Sequence, residues 1–105
     1  MERKHKYIKL TWVVLSHPGE MSSIDSLVKS LVTPLLKGKN VHLLYQLDEV
    51  RYSKETQEYK LIQPMGSALS YSKAQYKVGL YLEEMQQMHC TIQVTVWGTI
   101  YDKGL

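Results

Sequence analysis

The sequence predicts an α+β fold in which the elements follow one another as strand, helix, strand, strand, helix, strand. Three observations lead to this prediction. Residues 7–15, 41–52 and 91–101 alternate between two sets of side chains with the period of a strand. An apolar stripe at helical spacing follows the first stretch, and a short polar turn follows the second. Two helices on one face of a four-stranded antiparallel sheet would give a split βαβ arrangement of the ferredoxin-like kind.

The first predicted strand covers residues 7–15. One of its faces is wholly apolar and consists of Ile8, Leu10, Trp12 and Val14. The Pro18-Gly19 pair that follows is typical of a loop. Before the strand lies the one dense cationic cluster, Arg3-Lys4-His5-Lys6. We therefore expect a basic, flexible N-terminus over residues 1–6 and a single α+β domain over residues 7–105.

A helix is predicted after this loop. Its apolar residues fall at helical spacing and form one stripe: Ile24, Leu27, Val28, Leu31, Val32 and Leu35. Ser22 and Asp25 have the spacing of a capping box, so we expect the helix to begin there. Pro34 has no backbone N–H to donate and should end or kink the helix just before it. Gly38 is suited to a left-handed cap.

Residues 41–52 and 58–63 are predicted to form an antiparallel hairpin, because the polar turn between them is too short for any other connection. The apolar face of the first of these strands consists of Val41, Leu43, Tyr45 and Leu47. We expect Pro64-Met65-Gly66 to end the second strand.

Residues 67–89 are compatible with two structures. The Glu, Gln and Met residues from Glu83 onward favour a helix. Gly79 and the neighbouring Tyr and Val residues favour a strand over residues 76–89. We take the helix as the prediction; the alternative is a one-helix, five-stranded antiparallel fold.

The aromatic residues indicate a binding surface. The chain has eight Tyr and two Trp but no Phe, and Tyr and Trp combine an apolar body with a polar tip. On the last strand Trp97, Thr99 and Tyr101 alternate with the apolar core residues, and Tyr7 lies on the corresponding face of the first strand. We predict that these four residues form an interface for a second copy of the chain or for another protein.

Binding of nucleic acid is the alternative function. A sheet-based RNA-binding domain carries a basic-Gly-aromatic run on its third strand, whereas residues 58–63 contain one aromatic side chain and no glycine. The net charge of +3 is mild. Arg3, Lys4 and Lys6 are the expected contacts with an anionic membrane surface or with phosphate groups.

The sequence contains no recognisable catalytic constellation. It lacks a glycine-rich phosphate loop, a nucleophile elbow and a His-Glu-x-x-His motif. Cys90 is the only cysteine, and His89 beside it would face the opposite side of a strand. We therefore expect no catalytic residue, no metal and no cofactor. With no disulfide, no apolar run of membrane-spanning length and no signal-peptide pattern, a soluble or peripheral protein of the reducing cytoplasm is expected.

Part of the chain resembles the core of rhabdovirus matrix proteins, the shell proteins that join membrane, nucleocapsid and each other. The residues that carry the resemblance are Val78-Gly79-Leu80, Cys90, Ile92-Gln93, Trp97 and, after a strand and a Ser/Pro loop, Ser23-Ile24-Asp25. The long lysine-rich leader and the proline-rich budding motif of that family are not present here. The resemblance implies a viral structural protein that self-associates, and it implies an extended conformation over residues 76–89.

Overall fold

The computed structural model describes the backbone of residues 6–13, 19–84 and 91–102, and the side chains of residues 8–11, 19–84 and 91–101. Its elements are β1 (Lys6–Val13), α1 (Glu20–Leu36), β2 (Lys39–Ser53), β3 (Glu58–Leu69), α2 (Tyr71–Glu84) and β4 (Thr91–Asp102). The predicted α+β class and the predicted order of elements are confirmed. The extended alternative is wrong for residues 76–84, which are helical, and residues 85–89 lie outside the described part of the chain.

The four strands form one antiparallel sheet in the order β1-β4-β2-β3. β1 and β2 run parallel to each other with β4 between them, and β3 and β4 run parallel with β2 between them. Both βαβ units are therefore split, as predicted. The ferredoxin-like arrangement places the first and third strands at the centre, whereas β4 and β2 are central here, so the strand order differs from that arrangement.

A single hydrophobic core lies between the sheet and the two helices, which pack on the same face of the sheet, as predicted. Its buried residues come from both helices and from the two central strands: Met21, Ile24, Val28 and Val32 of α1, Ala74, Val78 and Tyr81 of α2, Tyr45 and Leu47 of β2, and Ile92, Val94 and Val96 of β4. The predicted apolar face of β4 is thus confirmed. Burial of such side chains is the main favourable term in folding.

The predicted apolar stripe of α1 is only half buried. Ile24, Val28 and Val32 face the sheet, but Leu27, Leu31 and Leu35 are each 45–50% exposed. Successive residues of a helix are about 100° apart, which places the three leucines to one side of the buried row. The predicted helix is confirmed, but its apolar stripe is wider than the surface that the sheet covers.

The predicted capping box is also wrong. α1 begins before Ser22, its N-cap is Gly19, and this N-cap makes no side-chain hydrogen bond to the helix. The two predicted capping residues make tertiary contacts instead. The Ser22 Oγ lies 3.3 Å from the Tyr71 hydroxyl, and Asp25 accepts a 2.8 Å hydrogen bond from the Tyr45 hydroxyl.

Pro34 does not end α1, which continues to Leu36. The proline is exposed and lies close to the C-terminal end of the helix, where the backbone hydrogen bond that it cannot make is one of the last in the helix. The helix ends with Lys37 in the left-handed region at φ 38° and Gly38 at φ 83°. The left-handed conformation expected at Gly38 is confirmed.

β3 continues through Pro64 and Gly66 to Leu69, so the prediction that these residues end the strand is wrong. β3 lies at the edge of the described sheet and pairs with β2 only. Proline is tolerated on an edge strand because its missing N–H leaves no neighbour unsatisfied. Three register shifts between β2 and β3 accommodate the irregular backbone.

Candidate binding surface on the sheet

The second face of the sheet carries the predicted interface, and both described helices lie on the other side. Residues that are directly opposite each other in an antiparallel pair share a face. Trp97 is opposite Lys9 and Leu44, and Thr99 is opposite His42. We call this surface the open sheet face and define it by the side chains Lys9, Thr11, His42, Leu44, Gln46, Trp97, Thr99 and Tyr101.

Trp97 is the largest exposed apolar group of the open sheet face, with 42% of its surface accessible. Its Nε1–H donates a 2.9 Å hydrogen bond to the Oε1 of Gln46. The Nε2 of the same glutamine donates a 2.9 Å hydrogen bond to Asp48. The carboxylate accepts from the amide nitrogen, so the amide oxygen is directed toward the indole. The hydrogen bonds of Gln46 to the indole and to Asp48 therefore fix the orientation of the exposed ring.

A cation also contacts the indole. The Nζ of Lys9 lies 4.8 Å from the centroid of the Trp97 ring, within the range of a cation–π interaction. Such a contact at an exposed site contributes about 0.5–1 kcal/mol. Trp97 is thus positioned by groups on both neighbouring strands before any partner binds.

The predicted interface residues lie on one face, as the alternation indicated. Tyr101 is 37% exposed and Thr99 is half-buried. Tyr101 is four positions after Trp97, or about 13 Å along a strand. The backbone of Tyr7 is opposite Thr99, on the predicted face, and the side chain of Tyr7 lies outside the described side chains.

Some residues of the same sheet face are buried. Thr95, which the alternation placed outside, is 2% exposed; Asp48 is 7% exposed and Val50 is 3% exposed. These three residues therefore add almost no accessible surface to the face on which Trp97 and Tyr101 lie. The alternation identified the aromatic side chains, but Lys9 and Gln46 were not predicted as part of the site, because only the register of the strands brings them to Trp97.

The predicted anionic-surface contact cannot be placed on this surface. Arg3 and Lys4 lie outside the described residues, and of Lys6 only the backbone, within β1, is described. The role of these three cations stays a prediction.

On the helix-covered face of the sheet, polar side chains join α1 to β2. Asp25 on α1 accepts the hydrogen bond from Tyr45 and forms a 2.9 Å ion pair with Lys29. Burial raises the pKa of the Tyr45 hydroxyl well above its usual value, and the hydrogen bond and charge of Asp25 raise it further. The same carboxylate raises the pKa of Lys29. The Tyr45 and Tyr71 rings are 5.7 Å apart, so this cluster joins both helices to the sheet.

A cavity of about 290 Å³ between β2, β3 and α2 contains further titratable groups. Glu49, which is 5% exposed, accepts a 3.3 Å hydrogen bond from Gln63. Lys77 on the rim donates to the backbone carbonyl of Met65 at 3.1 Å. Among the side chains that the structure describes, no group of three or more His, Cys, Asp and Glu could hold a metal ion.

Comparisons of the chain with protein-family models, with curated proteins and with solved structures find no match. The resemblance to rhabdovirus matrix proteins therefore stays a prediction, although the extended conformation that it implied is wrong for residues 76–84. No helix within the described ranges is long and apolar enough to cross a membrane.

Proposed function

We propose that the chain is a non-enzymatic interaction module that docks a protein surface, in the first place a second copy of itself, through the open sheet face. The observation that carries this proposal is the state of Trp97, which is 42% exposed and yet held by Gln46 and Lys9. A large aromatic side chain that is already ordered loses little entropy on binding. Tryptophan is also among the residues that dominate binding energy at interfaces.

The surroundings of Trp97 favour a protein surface as the partner. The indole N–H already has an acceptor in Gln46, so a partner can cover the ring without leaving a polar group unsatisfied. Leu44 adds apolar surface beside it and Tyr101 adds more farther along β4, while Thr99 and His42 add polar groups. Such a mixture of apolar and polar groups is typical of interfaces between separately stable proteins. Two sheets can pack face to face at about 10 Å, which suits a symmetric dimer.

We expect Trp97→Ala to weaken self-association at least tenfold, because the substitution removes the central apolar contact. Sedimentation equilibrium over a micromolar concentration series would measure the dissociation constant. Tyr76→Ala is the matched control, since Tyr76 is a 67% exposed aromatic residue on α2, away from the open sheet face. The control should dimerise like the original chain.

Equal effects of the two substitutions would contradict a specific role of the sheet face. A chain that stays monomeric at every concentration would exclude the second copy as the partner. If the Trp97→Ala chain then also kept every interaction with other proteins, the whole proposal would be lost. Circular dichroism of each variant would show that the fold is retained.

A second candidate function is the binding of single-stranded nucleic acid by the same face. The observation that favours it is the charge of the described side chains on β1, β2 and β4. Among the side chains that the structure describes on this face, Lys9 is a cation. Asp48 is the one carboxylate there, and it is buried. Exposed aromatic rings beside cations are a common platform for bases. Affinity for an oligonucleotide should then fall steeply with salt, and a flat salt dependence would remove this candidate.

The single cysteine of the chain supports the further proposal that the protein works in a reducing, intracellular compartment.

A further inference from the structure

A carboxylate on the central strand β2 borders the cavity between β2, β3 and α2. Glu49 lines this cavity and is 5% exposed. It lies between two neighbouring strands, with Gln63 of β3 directly opposite on one side and Ile92 of β4 on the other. Because α2 also lines the cavity, this side chain is almost completely removed from bulk water.

One of the two carboxylate oxygens of Glu49 has a partner within the described part of the chain. The Nε2 of Gln63 donates a 3.3 Å hydrogen bond to the Oε1 of Glu49. No group among the described residues donates to the Oε2, and no cation among them forms an ion pair with Glu49. A buried charge without an opposite charge nearby is costly. The cavity is therefore bordered by an acceptor oxygen whose charge the described residues do not pair.

The rest of the cavity lining adds a second carboxylate, one cation and apolar surface. Glu84 is the second carboxylate, and Lys77 is the one cation among the described lining residues. The Nζ of Lys77 donates to the backbone carbonyl of Met65 and not to Glu49. The formal charge of these lining residues is −2 from the two glutamates and +1 from Lys77, which gives −1. Met65 and Leu80 supply apolar side chains.

We propose that this cavity binds the ammonium group of a small primary alkylamine. An ammonium group carries one positive charge, which balances the lining charge of −1. It also has three N–H donors, one of which can bind the free Oε2 of Glu49. A short alkyl chain can lie against Met65 and Leu80. The volume of about 290 Å³ is at the lower end of the range for small-molecule sites, which suits a ligand of a few carbon atoms.

The test is a titration of the isotope-labelled chain with n-butylamine at neutral pH, followed by NMR, with the ionic strength held constant by sodium chloride. We expect saturable shifts confined to the amides around residue 49, residues 63–65 and residues 77–84. Tetramethylammonium has the same charge but no N–H to donate, so it should bind at least fivefold more weakly.

Three substitutions test the roles of the charges. Glu49→Gln should weaken the binding of butylamine at least fivefold, because it removes the buried charge and keeps the size of the side chain. Glu58→Gln is the matched control, since it removes one carboxylate from an exposed position of β3 outside the cavity lining and should leave the affinity unchanged. Lys77→Gln should tighten binding, because it removes the opposing charge.

The urea midpoint of the Glu49→Gln chain should stay the same or rise, so lost binding cannot be attributed to unfolding. Shifts that do not saturate, equal binding of tetramethylammonium, or unchanged affinity after Glu49→Gln would each overturn the proposal. An equal loss of affinity in the Glu58→Gln chain would overturn it as well. The Trp97→Ala chain should bind butylamine normally, so this cavity and the open sheet face fail or succeed separately.

Discussion

The polar tips of three aromatic residues give a local reason for the absence of phenylalanine at their positions. The hydroxyl of Tyr45 donates to Asp25, the N–H of Trp97 donates to Gln46, and the hydroxyl of Tyr71 lies within hydrogen-bond distance of α1. Phenylalanine would fill each position and lose each hydrogen bond. The contacts of Tyr45 and Tyr71 join α1 to β2 and to α2, and the contact of Trp97 orients the indole at the proposed interface.

The raised pKa of Tyr45 predicts a loss of stability in alkali. The unfolded chain loses the Tyr45 proton near the ordinary pKa of 10.0, while the folded chain retains it because of burial and the neighbouring Asp25. The folded state then binds more protons, so the free energy of unfolding falls as the pH rises above about 10. Tyr45→Phe should reduce this fall and cost about 1–2 kcal/mol at neutral pH through the lost hydrogen bond. Urea unfolding at pH 8 and at pH 11 would measure both effects.

Tyr76→Phe is the control for this experiment, because Tyr76 is 67% exposed. It should change neither the neutral stability nor the alkaline fall. Part of the fall should persist in the Tyr45→Phe chain, since Lys29 also has a raised pKa and keeps its ion pair with Asp25. An unaltered alkaline fall in that chain would contradict the assignment to Tyr45.

Single side chains of the candidate site were predictable only where the period of a strand decides the outcome. Alternation along β4 sufficed to place Trp97 outside and Val96 inside. The hydrogen bond from Trp97 to Gln46 spans 51 positions of the chain, and no local pattern encodes it. The burial of Thr95 could not be predicted from a local pattern either, because it depends on the residues that pack around β4 and not on the sequence of β4.

At the scale of the element, α1 shows the limit of helical periodicity. The pattern identifies which residues are apolar on one side of a helix, but not how much of that side the sheet covers. Met21 lies outside the predicted stripe and is completely buried, whereas Leu31 lies within it and is 49% exposed.

This difference gives a prediction for stability. Met21→Ala should lower the free energy of unfolding by about 2–5 kcal/mol, because it opens a cavity in the core. Leu31→Ala should cost about 0.5 kcal/mol or less, as is usual for exposed positions. Chemical denaturation of the two variants would compare them directly. Similar costs for both would mean that Leu31 is covered in solution.

The β2–β3 hairpin was predictable as an element but not in its extent or its chemistry. The short turn sufficed to indicate antiparallel pairing. The tolerance for Pro64 follows from the position of β3 at the sheet edge, which a single strand sequence does not reveal. Arg51 and Lys60 read as ordinary surface cations until the register places them opposite each other.

At the scale of the whole molecule, the class and the order of elements were predictable but the order of strands was not. Pairing in the sheet is decided by contacts between distant parts of the chain. β1 pairs with β4 over its full described length, with Lys6 opposite Ile100 at one end and Val13 opposite Gln93 at the other. Local sequence patterns do not determine which distant strands pair with each other. The same long-range pairing produces the surface on which Lys9 meets Trp97.

The central place of β4 has a consequence for synthesis in the cell. Among the described strands, β1 has β4 as its sole neighbour, and β4 is made last. A ribosome adds about 5–20 residues per second, so for seconds the apolar faces of both helices lack the part of the core that β4 supplies. Until residues 91–102 have left the exit tunnel, β2 and β3 are the only two described strands that can pair as they do in the finished sheet. We therefore expect the nascent polypeptide to depend on chaperones until β4 has been made.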